Sequence, residues 1–396
     1  MSKDFPQFFC VSINAMDMCL GFECVKTTVR SLSLMNRISL SFGLALLAIC
    51  FGLSGLAAEP PYRPSPAIQG VAFDDDSART EAPGSDNWPI TWAANGHLYT
   101  SFGDGGGFGG TNSDSRVSMG IARVEGDKDD YRGFNIAGGK SAPHPAPFKG
   151  KSEGILAVGD VLYLWRDGNG SDERAFSGSQ LWRSDDLGAT WKFASVEFSK
   201  HNGDFPNGDE GFFALTFCQF GRGYEGARDS YVYIYGPEIS DRSHWNVQKP
   251  GKIALMRVPP ARLHDKTAYE FFAGISETGS PAWTGRTVGR KPTWQDPANG
   301  THRMAVSYNA GLNRYLLTTM TVDRQGRMAI YDAPEPWGPW TTVLFQQDTE
   351  RWGTKVVVFN FVNKWLSADG RRFVLVHTKN DHWASIEGEF LLGDPN

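Results

Sequence analysis

The stretch 86–104, D-N-W-P-I-T-W-A-A-N-G-H-L-Y-T-S-F-G-D, constrains the fold more than any other part of the chain. It reads as two strands joined by a tight turn at Asn95-Gly96, a dipeptide that supplies the positive φ of a two-residue hairpin. One acid stands before the first strand and another follows the second. The same grammar recurs downstream. A polar or charged residue precedes a short apolar strand, a turn follows, then a second apolar strand and one or two weaker ones.

The first unit adds 117–124. The second starts at Lys151-Ser152-Glu153, with strands 155–158, 161–165, 180–183 and 191–194. The third starts at Gly208-Asp209-Glu210, with 212–217, 231–235, 253–258 and 269–272. The fourth starts at Thr301-His302-Arg303, with 304–308, 315–319, 328–331 and 340–345. The fifth starts at Gly353-Thr354-Lys355, with 356–361, 373–377 and 384–391. Residues 86–396 thus hold five units of about 60 residues, the size of a four-stranded propeller blade. The expected fold is all-β, a single five-bladed β-propeller over 86–396. A strand-like patch at 68–73, within the Pro- and Asp-rich arm 59–85, is available as the fourth strand of the short last unit. Gly 45, Pro 22 and 13% aromatic residues suit such a turn-rich β chain.

The amino-terminal segment has a different character. Met35-Asn36-Arg37 opens a basic start, an apolar run covers 38–56, and small residues precede Glu59-Pro60-Pro61. This is the pattern of a signal peptide at 35–58, cut near Ala57 or Ala58, and it places the mature protein outside the cell or in the periplasm with no stable membrane span. Residues 1–34 read as an over-extended gene start. Cys10, Cys19, Cys24 and Cys50 precede the cut, so the mature chain keeps Cys218 alone and forms no internal disulfide. A net charge of -5 without a basic tract excludes a nucleic-acid surface.

In a propeller the first strands line the channel, so residues at their starts converge on one mouth. They are Asp86, Glu153, Asp209 or Glu210, His302 or Arg303, and Lys355, with Asp104 and Asp167 returning to the same end after the second strands. Carboxylates with a few cations suit glycoside hydrolysis, one carboxyl protonating the leaving oxygen while another activates water or attacks the sugar. Acids at strand ends also cap turns and pair with Arg or Lys, so the argument rests on the group rather than on any member. Trp88, Trp92 and Trp165 lie near these acids, either as stacking faces for sugar rings or as packing between units.

Other motifs fail on context. Gly150-Lys151-Ser152-Glu153-Gly154 spells G-x-S-x-G, but a strand follows where a nucleophile elbow needs a helix. The Gly-rich run 103–110 lacks the Lys-Ser/Thr ending of a phosphate loop. No H-E-x-x-H or paired C-x-x-C occurs, so no metal centre or cofactor is expected. The segment 167–173 loosely resembles a calcium loop but has Asp172 at the sharp-turn Gly position and Gly178 at the closing Glu position, leaving structural calcium as the only metal expectation. Residues 184–191, S-D-D-L-G-A-T-W, match the Asp-box turn of propellers.

Three stretches, 84–105, 307–318 (S-Y-N-A-G-L-N-R-Y-L-L-T) and 332–340 (D-A-P-E-P-W-G-P-W), resemble the secreted bacterial proteins of domain-of-unknown-function family 4185. That family resembles five-bladed furanosidases such as arabinanases, and some members are similar to endo-acting D-arabinan hydrolases. The resemblance implies carboxylate catalysis at the channel mouth and a furanose-containing polysaccharide as partner. Asp86 is expected as base or nucleophile, Glu153 or Glu210 as acid, and Asp104 as a modulator of proton affinity or alternative catalyst, with Trp88, Trp92, Trp165, Asp167, His302, Arg303 and Lys355 around the substrate. The alternative is a non-catalytic glycan-binding or scaffold propeller.

Overall fold

The computed structural model describes residues 59–393 apart from 148, 169–177, 207–210, 240–247, 250 and 321–326. In chain order, β1 (Ile68–Glu81) precedes the first hairpin. β2 (Ile90–Trp92), β3 (Leu98–Gly105), β4 (Val117–Glu125) and β5 (Arg132–Ala137) form one antiparallel sheet. β6 (Lys151–Val158), β7 (Val161–Asp167), β8 (Gly178–Ser184) and β9 (Lys192–Ser199) form a second. Then come β10 (Thr216–Gln219), β11 (Val232–Pro237), β12 (Lys252–Val258), β13 (Glu270–Ile275), β14 (Pro281–Thr284) and β15 (Pro292–Gln295). They are followed by β16 (Met304–Asn309), β17 (Arg314–Met320), β18 (Arg327–Ala333) and β19 (Thr341–Gln347). Last are β20 (Phe359–Phe361), β21 (Arg372–Thr378) and β22 (Trp383–Leu392).

The protein is all-β. Where the sequence predicts five separate units, the strands among the described residues pair into four sheets. The third and fourth units fuse into one ten-stranded sheet, because β10 and β16 run parallel and pair at Cys218↔Val306 and Gln219↔Ser307. Cys218 and Ser307, both buried, are small enough to let the two backbones close. β1 lies outside β22 and pairs with it antiparallel from Ile68↔Leu392 to Glu81↔Trp383. A strand from before the first unit is thereby tied to the last residues of the fold.

The first strands of successive units are neighbours. β2 packs on β6, β6 on β10, and β16 on β20. Gly154 makes one of these approaches possible: a Cβ there would lie 2.5 Å from Thr216 Cα, and its N–H instead donates to Leu215 O at 2.8 Å. The Asn360 amide closes β20 onto the start of β2 by donating to Trp88 O at 2.9 Å.

Aromatic residues fill the space between sheets. Trp88 is fully buried, 5.4 Å from Phe102, 5.3 Å from Phe108 and 5.4 Å from Trp383 between ring centres. Trp165 is likewise fully buried, 6.1 Å from both Phe198 and Phe217. β3, β7 and β17 are buried on both faces along nearly their whole length, and burial of large rings dominates such a β core. Asp186, in the turn joining β8 to β9, accepts from Thr190 N and Ser184 Oγ at 2.9 and 2.7 Å. Cys218 is a free thiol at 0% exposure, and burial pushes its ionisation up. Among the described residues no helix is long and apolar enough to cross a membrane.

Trp88→Ala should destabilise the fold by about 3–5 kcal/mol, the range for deleting a buried aromatic side chain. Urea unfolding followed by circular dichroism checks this, and a loss below about 1 kcal/mol would show that the Trp88 cluster does not hold the first and last sheets together.

Candidate functional site

Asp86 enters the site through backbone pairing rather than within a named strand. Its N–H donates to Gly103 O at 3.0 Å, and Gly103 N–H returns to Asp86 O at 2.8 Å. A Cβ on Gly103 would sit 2.9 Å from Asp86 Oδ1, so glycine at that position leaves room for the carboxylate. Burial raises the proton affinity of Asp86, and the negative charges of Asp104 and Asp381 raise it further against the opposing fields of Arg303 and Lys151. The residue as a whole keeps partial access to solvent, while its carboxyl lies deep enough for burial to dominate.

Asp104 stands on the next strand in a left-handed conformation, φ 55°, which Asp tolerates better than most residues. Lys151, the first residue of β6, places its ammonium against Asp104 Oδ2, and Arg116 lies 3.7 Å from Oδ1. Asp104 is therefore a partly exposed carboxylate held between two cations beside Asp86.

Glu153 and Arg303 form the buried centre. Arg303 Nε and Nη2 donate to the two Glu153 oxygens at 2.7 and 2.8 Å, with the residues 6% and 3% exposed. This two-pronged geometry is the strongest form of the Arg–carboxylate pair. Removing Arg303 from water lowers its proton affinity, but Glu153 chiefly, with Asp86 and Asp167, raises it above the usual value. Both oxygens of Glu153 are thus occupied. Its expected part as a proton donor is corrected by this pairing, since its strongest partner is a permanent cation.

Asp167 ends β7 and is 1% exposed. Ala214 N–H donates to its Oδ2 at 2.6 Å and the Ser179 hydroxyl donates to its Oδ1. Burial first, then the charge of Glu153, pushes its ionisation up to about 7 despite those bonds and Arg303. Ala214 has φ 48°, so the Asp167 carboxylate fastens a strained turn just before β10. That turn also displaces the first strand of the third unit from the expected 212–217 to 216–219. Asp86 and Asp167, both raised in proton affinity chiefly by burial, share the field of Arg303, while Asp104 lies between Lys151 and Arg116.

His302 is buried edge-on to Phe213, ring centres 5.5 Å apart. Lys355 lies further out and pairs with Asp381 at 2.7 Å, its side chain 61% exposed. Of the two roles open to the three tryptophans, Trp88 and Trp165 take packing between sheets. Trp88 and Trp165 are packing residues with no free face, and Trp92 ends β2 beside the Asn95 turn, at the opposite end from Asp86. Glu210 and Asp209 lie outside the described residues, as does most of the calcium-like segment 167–173. Among the described residues no three His, Cys, Asp or Glu side chains gather as a metal site.

The central charge pair and the flanking Asp86–Asp104 pair come from the first, second and fourth units. Residues 155–357 match the family described as Domain of unknown function (DUF4185). The chain belongs to the DUF4185 family. Glu153 stands just before the matched DUF4185 segment and Asp86 well before it, while the segment contains Asp167 and Arg303. No curated protein matches the sequence. Among solved structures, a Bacteroides ovatus protein aligns with TM-score 0.49 and 12% identity over 78% of this chain and 87% of its own. The catalytic domain of the Coprinopsis cinerea GH62 alpha-L-arabinofuranosidase aligns with TM-score 0.43 and 10% identity over 83% and 96%. A GH43_1 enzyme from Xanthomonas citri aligns with TM-score 0.44 and 13% identity over 80% and 91%. With all three TM-scores below 0.5, none of these likenesses assigns a substrate or a catalytic residue to the DUF4185 chain.

Asp167 makes stability depend on pH in a defined direction. Unfolded, its carboxyl ionises near pH 4; folded, it does so at about 7. The folded state holds the proton more tightly, so this contribution is fully present below about pH 4 and is lost as pH rises through 7. Asp167→Asn should remove that slope, its stability relative to the parent rising between pH 5 and pH 8 in urea melts. Parallel pH profiles for the two proteins would contradict the placement of Asp167.

Proposed function

We propose that this protein is a secreted or periplasmic glycoside hydrolase with a five-bladed propeller architecture, its mouth acting on a furanose-containing polysaccharide. The supporting observation is Asp86: a carboxylate of raised proton affinity on a partly exposed residue, beside a second carboxylate, in a cluster whose other acids are already engaged. A base whose proton affinity lies above that of an ordinary carboxylate takes a proton from water more effectively at mild pH. In this reading Asp86 activates water or attacks the sugar carbon. Asp104 tunes it by like charge, and the Lys151 ammonium holds Asp104 in place. Glu153 is a fixed anion that orients Arg303, whose positive charge faces Asp86 and steadies its ionised form. Glu210 remains the sequence's candidate for the proton donor.

The Glu153–Arg303 pair also favours a second reading, a glycan-binding propeller without hydrolysis, because a carboxylate locked to arginine is a structural anion.

Incubation of the mature protein with a panel of arabinan, xylan, galactan and mixed furanose polysaccharides, with product analysis, separates the two readings. We expect release of oligosaccharides from at least one, and a fall in kcat of at least about 100-fold in Asp86→Asn. Binding without products in the parent protein would select the second reading. Full hydrolysis by Asp86→Asn would remove Asp86 from the chemistry.

A further inference from the structure

A cavity opens where β21 ends and β22 begins, between β1, β21, β22 and the short helix Thr349–Trp352. Its volume is about 370 Å³, within the range of about 300–1,000 Å³ that small-molecule sites occupy. Two short links join its neighbourhood to the carboxylate site. Thr378, which ends β21, accepts a hydrogen bond from Asn87 N at 3.0 Å, one residue from Asp86. Lys379 on the cavity wall is two residues from Asp381, whose charge acts on Asp86.

The chemistry of this cavity turns on His377, which lines it while only 2% exposed. Phe359 stacks on the imidazole at 5.5 Å and Trp352 meets it edge-on at 5.4 Å, fixing the ring plane. Nδ1 lies 3.3 Å from Thr378 O, and a carbonyl can only accept, so Nδ1 carries the proton. Nε2 is left as an acceptor, without a partner among the described residues, on the ring edge that reaches the cavity. Burial pushes the ionisation of His377 down to about 4, which keeps the ring neutral at ordinary pH.

The charged groups around it cancel. Asp75, Asp348 and Glu350 face Arg79, Arg351 and Lys379. Arg351 is already committed, donating twice to Asp75 at 2.7 Å and lying 3.3 Å from Asp348. A free lone pair on a neutral imidazole repels an anion and accepts from a hydroxyl, while a balanced rim selects no net charge.

We infer that this cavity is a binding site for a neutral sugar unit, with His377 Nε2 accepting from a ring hydroxyl and the Lys379 and Glu350 side chains completing donor and acceptor contacts. The inference rests on the glycan reading of the carboxylate mouth and extends it: the cavity takes a unit of the same chain remote from the point of cleavage.

The test is isothermal titration of the full-length Asp86→Asn protein with neutral hexasaccharides and disaccharides of arabinose, xylose and galactose, and with sodium sulfate. Ala78→Trp fills the cavity from an exposed strand position without touching the core, and His377→Phe keeps the ring packing while removing the acceptor. Each should weaken hexasaccharide binding at least tenfold and leave disaccharide binding unchanged. Undiminished hexasaccharide affinity in Ala78→Trp, no hexasaccharide binding at all, or sulfate binding tighter than sugar would each overturn the inference. Hydrolysis by the wild-type protein, read separately, decides the catalytic proposal. Loss of binding in Ala78→Trp without any hydrolysis would keep the cavity and sink the catalysis.

Discussion

The buried pair between Glu153 and Arg303 is the constraint on which the rest of the site depends. It joins residues 150 positions apart, one at the start of the second unit and one at the start of the fourth. A charge this deep is tolerated only with a partner of good geometry, and the two bonds at 2.7 and 2.8 Å provide it. The pair ties two units together at the mouth, and it determines what the neighbouring acids can do. Arg303 offsets part of the cost of ionising Asp86 and Asp167, but one guanidinium already bound to Glu153 cannot neutralise both. Burial is the chief cause that raises both proton affinities, and Arg303 offsets only part of it. Asp167 resolves this through bonds from Ser179 and Ala214, and Asp86 is left with solvent access and room beside Gly103.

The fold supplies this arrangement by crowding the first strands of the units. Gly154 lets β6 approach the segment before β10, and the parallel contact of β10 with β16 draws the fourth unit against the third. Aromatic residues then fill the wider space away from the mouth. Trp88 and Trp165 belong to that filling, which is why both are at 0% exposure although each lies near an acid in sequence.

Much of this was legible in the residues. Alternation and turn dipeptides located most strands, and Asn95-Gly96 marked the first hairpin with its glycine at φ 89°. The starts of the first, second and fourth units did converge, because a first strand's position in a unit decides which end its leading residue occupies. What failed has physical reasons. β5, β14 and β15 are short or partly exposed and carry little apolar alternation. The fusion of two sheets depends on a two-residue parallel contact that no local pattern encodes. The pairing of Glu153 with Arg303, and the burial of the tryptophans, are properties of distance between units, and sequence proximity to an acid is a poor guide to either. The role of His377 could have been suspected only from a histidine in an apolar strand, a signal that equally marks a packed core residue.

The neighbouring locked ion pair leaves the Asp86 carboxyl as the protonatable group of the site. The most direct measurement is a carbon-13 NMR titration of the Asp86 carboxyl in the wild-type protein and in Asp104→Asn. The account predicts a wild-type midpoint above the ordinary aspartate value, moving down when the Asp104 charge is removed and Lys151 is released toward Asp86. A midpoint at the ordinary value, unmoved by Asp104→Asn, would contradict it.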